Sequence, residues 1–135
     1  MRPIPAQSSW VSGPPGAGKT ALVDVLRLFL EPSAGEAEIL GVDVSKIGAT
    51  ARAKLKRDIG FMSESPVLAD HLDAFENVSL PLRLAGAKAS AYTADVEDLL
   101  KFLGVAETSG RVASALTGSE KRRVALARAV VGGRA

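Results

Sequence analysis

Apolar positions along this chain fall into short patterned segments separated by glycine- and proline-rich turns. Leu22, Val25, Leu26 and Phe29 repeat at helical spacing and predict a helix over residues 20–30, ended by Glu31-Pro32-Ser33-Ala34-Gly35. Residues 36–40 read as a short strand, Gly41 as a turn, residues 42–49 as a loop with Asp43 and Ser45, and residues 50–57 as a short basic helix. Residues 59–62 are a brief apolar run bounded by polar residues, the pattern of a buried strand, and residues 8–12 are a strand-like run, short for a central strand, with Trp10 expected in the core. Phe75, Val78 and Leu82 predict a helix over 73–85, with a kink at Pro81 and a stop at Gly86. The cleanest helix is 90–103. Its stripe of Tyr92, Val96, Leu99, Leu100 and Leu103 reads as core packing, with Gly104 as the C-terminal stop. Residues 105–115 are mixed, and a last helix runs to about Val131, where Gly132-Gly133 ends it. Alternation of strands and helices argues an α/β domain with a mostly parallel sheet, although only 8–12 and 59–62 suit a central sheet.

Composition narrows the chemistry more than the fold. With 135 residues, 47% of them hydrophobic, the chain can bury the core of one ordinary domain. Lys+Arg is 17 against Asp+Glu 15, a near-balance that gives no argument for a nucleic-acid partner. The basic residues Lys121, Arg122, Arg123, Arg128 and Arg134 gather towards the C-terminal end and read as a solvated helix face. The chain has no cysteine, which excludes disulfides and thiol chemistry, and one histidine, which excludes a multi-histidine metal site. Residues 1–9 read as a disordered lead-in without the apolar core of a signal peptide, and no stretch approaches a membrane span. A soluble, cytoplasmic chain is expected.

The strongest chemical signal is Gly13-Pro14-Pro15-Gly16-Ala17-Gly18-Lys19-Thr20, which fits G-x-x-x-x-G-K-[ST] at every fixed position. The glycines let successive N–H groups point into one hollow that can hold nucleotide phosphates. Lys19 adds a point charge for the outer phosphates, and the Thr20 hydroxyl can ligate Mg²⁺. The predicted helix after the loop directs the positive end of its dipole at the anion. A bare glycine- and proline-rich turn before a helix is the plainer reading. A second small-residue turn, Leu116-Thr117-Gly118-Ser119-Glu120, opens onto the last helix. By itself it reads as an ordinary N-cap or as an anion site.

Beyond these two turns, GPPGAGKT, IGFMSES, DAFENVSLPLRLAGAK and LTGSEKRRVALARAV occur in the order and approximate spacing of ABC-type ATPase subunits, which the chain resembles from Trp10 to Val131. ENVSLPLRLAG and ALARAVV look most like the FtsE-type cell-division ATPase and its lipoprotein- and macrolide-export relatives. The resemblance implies a phosphate-loop nucleotide-binding domain over 10–135, with a helical subdomain at about 64–118. It implies ATP and Mg²⁺ as ligands, a homodimer in which Thr117, Gly118, Ser119 and Glu120 form the signature facing the partner's ATP, and an FtsX-like membrane permease at the inner face of the plasma membrane.

Three positions depart from the family pattern. Ser119 stands at the signature's second glycine, and Glu64 at the glutamine of the Q-loop, where it is either a Mg²⁺ ligand near the phosphates or a solvated loop residue. His71 lies just after that loop, so it is not the family's switch histidine. The Walker B half, an apolar strand ending in Asp-Glu, has no counterpart before Ala135, so the chain reads as an incomplete cassette with hydrolysis by it alone in doubt. The rival readings are a non-hydrolysing nucleotide-binding or regulatory module and a small-molecule kinase. The segment from Leu116 to Arg128 argues against the kinase.

Overall fold

The structure is a computed structural model that describes residues 7–133. Most of the expected lead-in (1–6) and Arg134 lie outside the described residues. The chain divides between residues 47 and 48 into two compact units.

The first unit carries helix α1, Lys19–Leu26, and a hairpin of strands β1, Glu38–Ile39, and β2, Val42–Asp43. Helix α1 is shorter than its apolar spacing predicts, because Leu28 takes a left-handed backbone (φ 61°) and the chain turns off the helix there. Its apolar stripe is not a core face: Leu22, Leu26 and Phe29 are all exposed. Arg27 instead covers the Phe29 ring at 4.6 Å from its centroid. The hairpin pairs antiparallel, Glu38 with Asp43 and Ile39 with Val42, around Leu40 (φ 50°) and Gly41 (φ 77°). Two consecutive positive φ values match the tight turn that a right-twisted hairpin requires.

After β2 the Asp43 carboxylate folds the chain onto itself. It accepts from Ser45 Oγ at 2.5 Å and Ser45 N at 3.1 Å, and pairs with Lys46 Nζ at 2.9 Å. The Ser45 hydroxyl first, and then Lys46, hold its pKa down to about 2. A depressed carboxylate supports the fold above its unfolded pKa and loses that support as pH falls through the folded value. This turn should therefore hold at pH 4 and loosen towards pH 2. Carboxyl-detected NMR titration should place the Asp43 midpoint near 2, and Ser45→Ala should raise it. A wild-type midpoint at the ordinary value of 3.8 would contradict the turn geometry.

The second unit is a helical assembly: α2, Ala49–Arg57; α3, Ala74–Leu84; α4, Ala89–Phe102; and α5, Gly118–Gly132. Two 3₁₀ turns, Ala106–Thr108 and Ala113–Ala115, join α4 to α5. The core is built where helix stripes face one another: Val78 from α3, Tyr92, Val96 and Leu100 from α4, and Val124, Ala127 and Val131 from α5. Phe75 packs its ring 6.4 Å from that of Tyr92. The stripe expected on 90–103 is the one that is buried, with Leu99 and Leu103 at its margin. Gly86 and Gly104 stop α3 and α4 at φ 81° and 69°, as their positions after the last apolar residues predict. Pro81 lies inside α3 without ending it.

The expected mostly parallel sheet is not found among the described residues, whose only sheet is the β1–β2 hairpin. Residues 8–12 are irregular and Trp10 is 92% exposed, so neither the strand nor the core tryptophan forms. Residues 59–62 are irregular too. A strand exists only through ladder bonds to a neighbour, and neither segment has one in this structure. Gly60 instead presses its backbone on the C-terminal turn of α5. A Cβ there would stand 1.8 Å from the Ala129 carbonyl oxygen.

Candidate functional site

The first unit's site is the loop 13–20. Gly16 (φ 82°) and Gly18 (φ 96°) both take left-handed backbone, and a Cβ on either would meet nothing within 4 Å. Glycine is therefore needed here for conformation, and it leaves open space over the loop. Ala17 N–H closes a turn on the Pro14 carbonyl at 3.2 Å. Gly18 is the N-cap of α1 and offers no side chain to the helix's first amides, and no acidic residue stands in the first turn. The amides and the dipole's positive end are thus left for an outside anion. Pro15, Gly16, Gly18, Lys19 and Thr20 line a cavity of about 320 Å³. Lys19 Nζ donates back to the Gly13 carbonyl and, at 3.0 Å, to the Pro14 carbonyl, which parks the cation at the loop mouth. Every feature fits polyphosphate: unclaimed amides, one cation, open volume and a hydroxyl on the first helical turn.

The second unit holds the other predicted residues. Thr117 is the N-cap of α5. Its Oγ accepts from Glu120 N at 3.3 Å, while Thr117 N donates to Glu120 Oε2 at 2.8 Å, a reciprocal capping box. Lys121 N bonds to the Thr117 carbonyl at 2.9 Å. The first-turn amides of Gly118 and Ser119 point beyond the helix end, where no intrahelical acceptor exists. Both readings of this turn hold in one geometry, since the cap consumes one amide and leaves two. Ser119 is exposed and sits in helical backbone, so a side chain at this position strains nothing within the chain.

Glu120 is not the free phosphate-facing carboxylate its position suggests. One oxygen is held by the Thr117 amide, and the other lies 3.2 Å from Arg111 Nη1. The Thr117 amide and hydroxyl, with Arg111 adding to them, hold its pKa below the usual carboxylate range.

Glu64 stands exposed on a bend, beside the Ser63 hydroxyl that donates to the Ser65 carbonyl at 3.0 Å. The loop beyond it is pinned at two points that the sequence pattern did not reveal. Arg128 Nη2 donates to the Val67 carbonyl at 2.8 Å. Arg128 is therefore not the solvated face residue expected of it, and burial pulls its guanidinium below the ordinary value. Asn77, fully buried on α3, accepts from Ala69 N at 2.8 Å and donates to the Ala69, Leu72 and Asp73 carbonyls at 3.1, 3.2 and 3.0 Å. A second capping box, Asp73 with Glu76, starts α3 directly after this loop. The structure thus brings Thr117 to Glu120 into one turn and Gly13 to Thr20 into one loop, with Glu64 on a separate loop of the helical unit.

The model of the ABC transporter family matches residues 5–135. The chain belongs to that family. The match is to an ABC-transporter ATP-binding domain, and the described residues are helical with a small sheet. Methionine import ATP-binding protein MetN of Photobacterium profundum is 36% identical over 120 residues, which is 89% of this chain and 35% of that protein. MetN 1 of Burkholderia pseudomallei matches over the same shares. Spermidine/putrescine import ATP-binding protein PotA of Pseudomonas aeruginosa is 35% identical over 119 residues, 88% of this chain and 31% of that protein. The chain spans about a third of the length of these curated relatives. Among the described residues, no helix is long and apolar enough to cross a membrane.

Proposed function

We propose that this chain is the nucleotide-binding portion of an import-type ABC transporter subunit. It would bind ATP-Mg²⁺ at Gly13 to Thr20 and pair with a second copy across the Thr117–Glu120 turn. The observation that carries the reading is the uncapped N-terminus of α1 behind two left-handed glycines, with Lys19 at its mouth. Thr20 would hold the Mg²⁺ that accompanies the phosphates. Among the described residues, no cluster of three or more histidine, aspartate or glutamate groups is placed to hold a metal ion. Glu64 is the further candidate ligand, a carboxylate where the family uses an amide.

MetN and PotA are import ATP-binding proteins by name, and they support an importer whose ATP-binding part works at the cytoplasmic face on an integral membrane permease. The cell-division reading, with an FtsX-like permease, rests on ENVSLPLRLAG and ALARAVV, and the relatives found give it no support.

The test is pairing. Sedimentation velocity should show the chain monomeric alone and dimeric with ATP-Mg²⁺, with Thr117→Ala weakening the dimer. A chain that binds ATP and stays monomeric would overturn the pairing, and a chain that binds no ATP would overturn the whole reading.

A further inference from the structure

Arg111 stands outside both predicted sites, yet it joins the start of α3 to the start of α5. Its backbone is fixed on both sides: its N–H donates to the Thr108 carbonyl at 2.9 Å, and its carbonyl accepts from Ala74 N, in the first turn of α3, at 3.1 Å. Its neighbour Val112 bridges Asp73, the N-cap of α3. From this anchored position the guanidinium spans the turn that leads into α5. Nη2 donates to the Ala115 carbonyl at 2.9 Å, and Nη1 meets Glu120 Oε1 at 3.2 Å. Glu120 is thereby held at both oxygens, one on the Thr117 amide and one on Arg111.

We infer that Arg111 is the positioning residue of the Thr117–Glu120 turn, holding the Glu120 carboxylate against its own helix start so that the Thr117 hydroxyl and the Gly118 and Ser119 amides face an incoming polyphosphate. This inference rests on the pairing reading above. Two physical effects combine. A loose carboxylate beside phosphate would repel it, and the planar fork neutralises that charge where it stands. The same fork fixes the Ala115 carbonyl and Glu120 together, and so sets the path of Leu116 and Thr117 between them. A lysine could supply the charge but not two divergent bonds in one plane.

The experiment measures ATP-Mg²⁺-driven pairing of the chain by sedimentation, monomer nucleotide affinity with a fluorescent ATP analogue, and thermal melting. Arg111→Ala should weaken pairing by about tenfold. It should leave nucleotide affinity unchanged and melting within a few degrees, because a half-exposed ion pair contributes little to stability. Arg111→Lys should recover part of the pairing. In a Glu120→Gln background most of the effect of Arg111→Ala should vanish, because the carboxylate through which it acts is gone. If Arg111→Ala does not fold, Arg111→Lys takes its place in the same cycle.

Equal pairing of wild type and Arg111→Ala overturns the inference and leaves the pairing reading standing. So does an equal loss in both Glu120 backgrounds, which would mean that Arg111 does not act through Glu120. A wild-type chain that never pairs on ATP overturns the reading and the inference together.

Discussion

Lys19→Ala is expected to weaken ATP binding by at least about a hundredfold, equivalent to about 2.7 kcal/mol. Lys19 is the only cation on the loop 13–20, and its amine is held at the loop mouth by the Gly13 and Pro14 carbonyls. Phosphate oxygens would replace two neutral acceptors with charged ones, and a hydrogen bond between charged partners is roughly twice as strong as a neutral one. The loop's amides and the dipole of α1 would remain in the variant, so residual weak binding is expected. The fold should be unaffected, since the side-chain hydrogen bonds of Lys19 among the described residues are to its own loop. Titration of each protein with a fluorescent ATP analogue, beside its far-ultraviolet circular dichroism, decides the matter. An unchanged affinity with an unchanged spectrum would show that nucleotide does not use this loop. Thr20→Ala is the companion variant: it should lose the Mg²⁺ dependence of binding and keep part of the binding itself.

That loop was legible because its demands are local. Gly16 and Gly18 both take positive φ ahead of a helix that starts at Lys19, as the glycine spacing and the helical pattern after it predict. The helices of the second unit were legible for a similar reason. Tyr92, Val96 and Leu100 repeat at the period of one helix face, and Gly86 and Gly104 mark where α3 and α4 must stop. Where the pattern failed, the missing information was a partner. The runs 8–12 and 59–62 have strand composition, but a strand is made by its neighbour's hydrogen bonds, and here Gly60 packs on the Ala129 carbonyl instead. The stripe on α1 predicts a buried face and is exposed in this structure, since periodicity says which residues share a side and not what covers it.

The candidate site shows the same division. Thr117 and Glu120 could be read as a cap because their spacing is that of one helical turn. Arg111 could not be read, because it reaches Glu120 across the 3₁₀ turn at Ala113–Ala115. Nor could Arg128, whose acceptor, Val67, lies 61 residues earlier. Both arginines look like ordinary surface charge in the sequence. The family resemblance was confirmed at the level of the ABC transporter family, while the finer cell-division phrases did not separate this chain from import-type relatives.

Asn77→Ala should destabilise the chain by about 3 kcal/mol, the largest single-residue stability loss expected here. Asn77 is fully buried and works at both ends of its amide. Its oxygen takes the Ala69 N–H at 2.8 Å, and its nitrogen faces the carbonyls of Ala69, Leu72 and Asp73. Alanine would leave the Ala69 N–H without its acceptor at the buried position 77, and an orphaned buried donor costs about 1–3 kcal/mol. The Ala69, Leu72 and Asp73 carbonyls would each lose one donor but keep the backbone N–H of Leu72, Ala113 and residue 77 respectively. Some of that loss would be recovered by water entering the space, which is why the groups do not simply add. Asn77→Asp separates the two ends of the amide. It keeps an acceptor for the Ala69 amide but turns a carboxylate on three carbonyl oxygens, so near neutral pH it should be no more stable than alanine. It should improve in mild acid, where the protonated carboxyl can donate. In Asn77→Ala the loop carrying Glu64 would lose its side-chain tie to α3 and keep the Arg128–Val67 bond, Ala113 N to the Leu72 carbonyl and Ser114 N to the Asp70 carbonyl, whereas Asn77→Asp would keep the Ala69 N–H bond as well. Urea denaturation should show a lower midpoint at unchanged slope, and hydrogen exchange should quicken at the amides of residues 67–72 before the rest of the helical unit. A midpoint shift worth less than about 1 kcal/mol, or exchange that quickens uniformly, would mean that the loop is held by packing and not by this side chain.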